Sequence, residues 1–248
     1  MNIIIKKDQQ AITGVFAEWL VDFIRTQLTD HESFHWALSG GNTPRTLYRL
    51  LTTESFSNKI EWDRVQFYWG DERYVPFNDE NNNAHMAFEE LLDKVPVNKN
   101  NIHVIPTQPD PVTAAKEYEE LLHKTFNAEH SFDLVLLGIG DNAHTASLFP
   151  GYDVIAEKKH WVRAFYLEEQ MMYRITLTAP VINLAKKVAF LVTGEPKARA
   201  MQNILGQEFN PSLWPAQIIQ PKDEMPVWWL DEAAAKNLTK SVIDHSTK

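Results

Sequence analysis

The stretch FDLVLLGIG (132–140) is apolar almost from end to end and stops at Gly-x-Gly. A strand with one wet face alternates apolar and polar residues. A run without alternation fits a strand buried on both faces, as in a parallel sheet covered by helices. Other runs repeat the theme. NIIIK (2–6), FHWAL (34–38), VQFYW (65–69) and IHVI (102–105) read as strands. QQAITGVFAEWLVDFIRTQL (9–28), PRTLYRLL (44–51), NNNAHMAFEELLD (81–93) and PVTAAKEYEELLHKTF (111–126) have the spacing or caps of helices. Later, WVRAFYL, YRITLT, KVAFLVT and AQIIQ are strand candidates, and TASLF, EPKARAMQNIL and DEAAAKNLTKSVI helix candidates. Strands alternating with helices predict an α/β fold: a mostly parallel sheet with helices on both faces. No repeat, low-complexity tract or linker interrupts residues 1–248, so one domain is expected.

Composition narrows the function. A formal net charge of −9 argues against a nucleic-acid binder, which needs a basic face. It also means that an anionic ligand must be drawn in by local cations against the overall field. With no cysteine there is no disulfide, thiolate nucleophile or cysteine metal site. The histidines show no metal-ligand spacing, so no metal site is expected. MNIIIKKDQQ has too short an apolar run for a signal-peptide core, and no run reaches the ~20 residues needed to cross a bilayer. A soluble, cytoplasmic protein, without membrane or nucleic-acid partners, is expected. The tryptophans, Trp228 and Trp229 included, read as packing residues.

In open α/β sheets, ligands gather at the carboxyl ends of the strands. Three loops there are unusual. After FHWAL comes Ser39-Gly40-Gly41-Asn42-Thr43-Pro44, a strand-to-helix junction of small residues. Free N–H groups at a helix start, a close backbone approach and two hydroxyls could cradle a phosphate; the plain alternative is a capped tight turn. The pattern is neither a Walker loop nor GxGxxG. After VQFYW comes Gly70-Asp71-Glu72-Arg73, either an ion-pair network or an acid that orients a base beside an arginine that holds an anion. After the apolar central run, GIGDNAHTASLFPG delivers His144 on a glycine-rich turn, either a general base or a hydrogen-bonded surface histidine. Lys197 falls in the first turn of a helix, where the dipole favours an acid, so a cation there is either a ligand contact or an ordinary solvated lysine.

SGGNTP, GDERYVP, HTASLFPG, YRITLT, GEPKARA, WPA and WLDEAAAKNL, in this order, resemble the 6-phosphogluconolactonases along nearly the whole chain. The resemblance implies a Rossmann-like three-layer core. It also implies hydrolysis of 6-phospho-D-glucono-1,5-lactone to 6-phosphogluconate, the second step of the oxidative pentose phosphate pathway, without metal or organic cofactor. Carried over by position, Ser39, Gly40, Gly41, Asn42 and Thr43 wrap the phosphate, and Arg174 and Lys197 are its basic ligands. His144 activates water, and Arg73 with backbone donors stabilises the oxyanion; Asp71 and Asn142 complete the catalytic set. No G-x-S-x-G elbow is present for a serine route. The ligand expected is a phosphorylated sugar lactone, and the chain a monomer or weak homodimer. The alternatives are glucosamine-6-phosphate deaminase/isomerase, whose histidine is soon followed by a carboxylate that HTASLFP lacks, or a sugar-phosphate binder without catalysis. The chain departs from the family's Gly-x-Gly-x-Asp-Gly-His: Asn142 stands for the Asp and Ala143 for the Gly. Asn142 orients without adding charge, so a weaker base is expected. Ala143 implies a turn that does not demand a glycine-only φ, and Asp141 could substitute for the missing acid if the turn shifts. Asn82, for a usual Ser, is a minor change.

Overall fold

The computed structural model describes residues 2–244. Its strands are β1 (Asn2–Lys6), β2 (Phe34–Leu38), β3 (Val65–Trp69), β4 (Asp71–Arg73), β5 (Leu134–Leu137), β6 (Val162–Leu167), β7 (Met172–Leu177), β8 (Lys187–Val192) and β9 (Val227–Asp231). Six of them form one sheet in the order β1-β9-β8-β5-β2-β3. Every neighbouring pair in it is parallel. The apolar run predicts this: all four residues of β5 are at most 1% exposed, covered on both faces. β4, β7 and β6 form a small antiparallel sheet beside it. Among the described residues no helix is long and apolar enough to cross a membrane.

The strand order dictates where a ligand can sit. The helix Gln9–Asp30 leads from β1 to β2 and the helix Asn42–Leu51 from β2 to β3, both steps running toward the β3 edge. Afterwards the path reverses. β3 returns to β5 past the helix Pro111–Thr125, and the helix Ala198–Gly206 joins β8 to β9 toward the β1 edge. Right-handed crossovers in opposite directions place these two groups of helices on opposite faces, completing three layers. The reversal falls between β2 and β5, so the loops leaving their carboxyl ends part and open a crevice.

Some elements differ from the sequence pattern, each for a local reason. IHVI is not a strand: Ile102 makes a single bridge to Phe67 at the edge of β3, and Pro106 follows. AQIIQ is a 3-10 turn, Pro215–Ile218, in which Gln217 accepts the Asn210 N–H and donates to the Ile204 carbonyl. TASLF forms a turn closed by a Thr145–Leu148 bridge rather than a helix. Residues 81–93 split into an α-helix Asn83–Ala87 and a π-helical turn Phe88–Leu92. Within 231–243, helix is interrupted between Glu232–Ala235 and Lys240–Asp244. β9 had no warning in the pattern, because its four apolar residues run straight into helix-forming DEAAAK. It lies fully buried between β1 and β8, with Trp228 stacked on Phe190 at 3.9 Å between ring centroids.

Candidate active site

The crevice holds a cleft of about 260 Å³, at the small end of the range for ligand sites. Ser39, Gly40, Gly41, Asp71, Arg73, Asn83, Gly138, Gly140, His144, Phe149, Gln170, Arg174 and Lys197 are among its lining residues. All three unusual loops therefore open into one space. They are joined there by β7, which carries Arg174, and by the loop after β8, which carries Lys197.

The first wall is the end of β2. The buried Tyr48 hydroxyl accepts the Ser39 N–H at 3.0 Å and donates to the Ser39 carbonyl at 2.8 Å, pinning the strand's last turn. Gly41 then caps the Asn42–Leu51 helix without a side-chain bond. The Asn42 and Thr43 N–H groups have no intrahelical acceptor and sit at the positive end of the helix dipole. The side chains of these two residues do not line the cleft: Asn42 is exposed and the Thr43 hydroxyl bonds that of Thr193 at 2.8 Å. Gly40 allows a close approach, since a Cβ there would fall 1.9 Å from Asn83 Oδ1.

The second wall is β4 and the turn after it. The Asn83 side-chain amide donates to the Asp71 carbonyl at 2.9 Å. Glu72, 1% exposed, accepts the backbone N–H groups of Arg73, Asn83 and Ala84 at 2.7–2.9 Å. Burial pushes its carboxyl up to about 7; the three N–H groups pull it down, and the Asp71 charge pushes it up again. Glu72 thus binds the framework, while its neighbours face the cleft. Asp71 accepts a 2.6 Å bond from the Ser147 hydroxyl, and Arg73 donates to the Asn81 carbonyl at 2.8 Å.

The third wall presents the imidazole. Gly140 N–H bonds the His144 carbonyl at 2.9 Å, and a Cβ on Gly140 would lie 2.0 Å from the His144 ring. The ring stacks on Phe149 with centroids 3.9 Å apart. Its Nδ1 is 2.6 Å from Asn142 Oδ1, which also accepts the His144 backbone N–H at 3.3 Å. An amide oxygen only accepts, so Nδ1 carries the proton and Nε2 keeps a lone pair. Burial lowers the His144 pKa to about 4; Asp71 opposes this, while Lys197, Arg174 and Arg73 add to it. The ring is neutral at pH 7, and the Asp71 charge favours its protonation.

Two readings of this turn need correction. Ala143 has φ +64°, in the left-handed region that favours glycine, so the turn keeps the glycine conformation and Ala143 bears its strain. Asp141 does not replace the missing acid. Its carboxylate is 2.6 Å from Lys197 Nζ. Asn142 is exposed and outside the lining, reaching the cleft only through His144. The Trp-Pro-Ala motif also finds a place here: the Ala216 N–H bonds the Ala143 carbonyl at 3.1 Å, bracing the histidine turn from outside.

Cations gather opposite the imidazole. Arg174 is 4% exposed, and burial lowers its pKa to about 10. It donates to Gln170, and its guanidinium lies 6.0 Å from the Phe149 ring centroid. The Nε atoms of Arg73 and Arg174 are buried without partners. Two arginines with buried, unused Nε donors in one polar cleft can take up an anion. Gln170 and Phe149 were not foreseen. Phe149 lies inside the quoted HTASLFPG motif, but nothing in sequence spacing predicts that Gln170, on the turn before β7, reaches the cleft.

The chain matches the family model for glucosamine-6-phosphate isomerases/6-phosphogluconolactonase over residues 7–228. It is 40% identical over 207 residues to a 6-phosphogluconolactonase of Synechocystis sp., covering 82% of this chain and 83% of that protein. It is 35% identical over 237 residues to a 6-phosphogluconolactonase of Nostoc sp., covering 94% and 96%. A solved 6-phosphogluconolactonase from Trypanosoma brucei superposes with a TM-score of 0.85 at 27% identity, covering 96% of this chain and 98% of that one.

Proposed function

The chain belongs to the glucosamine-6-phosphate isomerase/6-phosphogluconolactonase family, and from that premise we propose that it hydrolyses 6-phospho-D-glucono-1,5-lactone to 6-phosphogluconate. One observation carries the reading. The Ser39-Gly40-Gly41 turn at the start of the Asn42–Leu51 helix, the cations Arg174 and Lys197, and the neutral imidazole of His144 share one cleft. A hexose phosphate can therefore be held at one end while its ring carbonyl meets a base at the other.

In this mechanism the phosphate rests on the first N–H groups of the Asn42–Leu51 helix, with Ser39, Arg174 and Lys197 around it. His144 Nε2 takes a proton from water as the water oxygen attacks the lactone carbonyl. Arg73 and backbone N–H groups carry the negative charge of the tetrahedral oxygen, one such donor being worth about 3–4 kcal/mol. Collapse breaks the ring C–O bond, and the imidazolium returns its proton to the departing ring oxygen. Asn142 holds the tautomer this requires. Asp71, pinned by Ser147, supplies the negative charge that Asn142 lacks. A lactone is an activated ester, so this route draws on no metal or organic cofactor. Every group comes from one chain, so a monomer or weak homodimer would serve.

The test is lactone disappearance with and without protein, corrected for spontaneous hydrolysis, in wild type and His144→Ala. Wild type is expected to exceed the background and His144→Ala to fall to within about tenfold of it. Wild-type activity no greater than background refutes hydrolysis and leaves a binding protein. Release of ammonia from glucosamine 6-phosphate instead assigns the deaminase.

A further inference from the structure

Lys197 is half of an ion pair before any ligand arrives. Its Nζ is 2.6 Å from Asp141 Oδ1, and Asp141 stands at the rim with its side chain 72% exposed. The carboxylate is a poor structural element. It is a solvated partner on the histidine turn, and such pairs contribute little stability. It does, however, occupy the one lysine that lines the cleft among the described residues. We propose that Asp141 is a tethered competitor for the substrate phosphate and so sets the charge an incoming ligand must carry to engage Lys197. The proposal rests on the reading of Lys197 as a phosphate ligand.

Two anions compete for one ammonium. A ligand without a phosphate offers only hydroxyls, which do not displace a carboxylate from a lysine. A phosphate ester well above its second pKa of about 6 carries nearly two charges and three acceptor oxygens. It can draw the ammonium away, helped by the helix N-terminus and Arg174, which Asp141 does not touch. The competitor weakens every anion but weakens hydroxyl ligands completely, so it trades affinity for selection by charge. Removing its charge should therefore strengthen phosphate binding. A residue that merely supported the turn would weaken it on removal.

The experiment is calorimetric titration with inorganic phosphate at about pH 8, well above its second pKa, on wild type, Asp141→Asn, Lys197→Ala and the double variant. Asp141→Asn is expected to bind about fivefold more tightly, from loss of the competing pair and of its repulsion toward the ligand. Lys197→Ala should bind more weakly, and adding Asp141→Asn to it should recover less than it gains alone. In kinetics, KM for the phosphorylated lactone should fall in Asp141→Asn, and hydrolysis of unphosphorylated glucono-1,5-lactone should rise, since hydroxyls then reach the freed lysine. If Lys197→Ala weakens binding but Asp141→Asn leaves it unchanged or weaker, the competitor role is overturned and the phosphate anchor stands. If Lys197→Ala has no effect, both fall.

Discussion

Replacing Asn142 with aspartate keeps the oxygen that holds His144 and adds one negative charge. Asn142 Oδ1 lies 2.6 Å from His144 Nδ1, so an isosteric carboxylate would meet the same N–H. At an effective dielectric of about 20, opposite charges about 4 Å apart gain ~4 kcal/mol. Position 142 is exposed, so solvent screens much of that, and a rise of about 1–2 pKa units is the reasonable share. His144 would move from about 4 to between ~5 and ~6. A stronger base removes the water proton more easily; with the proton half transferred, each unit is worth about threefold, so kcat should rise about three- to tenfold. The assay is kcat against pH under saturating lactone, corrected for spontaneous hydrolysis. Saturation removes the titration of the substrate phosphate, which acts on KM. The acid limb should shift upward by the same ~1–2 units. An unmoved limb, or a lower plateau at unchanged KM, would refute His144 as the base.

Exchanging the two residues, Asp141→Asn with Asn142→Asp, leaves the net charge unaltered. It should nonetheless combine the upward acid limb with the lower KM, as read from steady-state kinetics; a variant with wild-type profiles would show that position is irrelevant. Gly140→Ala should fold but lose at least ~100-fold in kcat, since the new Cβ falls 2.0 Å from the imidazole and misplaced bases are costly; circular dichroism checks the fold. In acid, His144 costs stability. Its folded pKa of about 4 lies below the ordinary imidazole value of 6.5, so the unfolded chain binds more protons between these limits and stability falls as pH drops through that window. From about pH 7 to pH 4 wild type should lose on the order of 3 kcal/mol more than His144→Gln, at 1.36 kcal/mol per unit. Urea titrations of both proteins measure it; equal losses would contradict the buried neutral ring.

What the sequence made legible was governed by near neighbours. β2, β3 and the helix Gln9–Asp30 were readable because a few residues in a row set their own burial pattern. So were the phosphate turn and the histidine turn, whose glycines and small polar groups announce a backbone passing close to something. What stayed hidden depends on partners far along the chain. β9 is a strand because β1 and β8 flank it. AQIIQ is not one because Gln217 bonds Ile204 and Asn210. The pairing of Asp141 with Lys197 spans 56 residues and cannot be found from spacing. It takes Asp141 away from His144, closing the option that Asp141 substitutes for the missing acid, since a carboxylate turns toward the nearest full cation before a neutral ring.

The acidic chain reaches an anionic ligand through the same placement. A net charge of −9 spread over the surface is screened beyond about 8–10 Å in physiological salt. Inside the cleft, Arg73, Arg174 and Lys197 act at contact range in a partly desolvated site, where screening is weak. Asp71 and Asp141 offset two of these charges, but at different ends: Asp71 acts on the imidazole, and Asp141 on the lysine. Burial keeps His144 neutral, and the cations Lys197, Arg174 and Arg73 add to that effect. A dianion arriving among them would cancel their effect on His144 and raise its proton affinity only when substrate is present. Under the proposed mechanism, charge at the phosphate end and basicity at the carbonyl are thus one electrostatic problem.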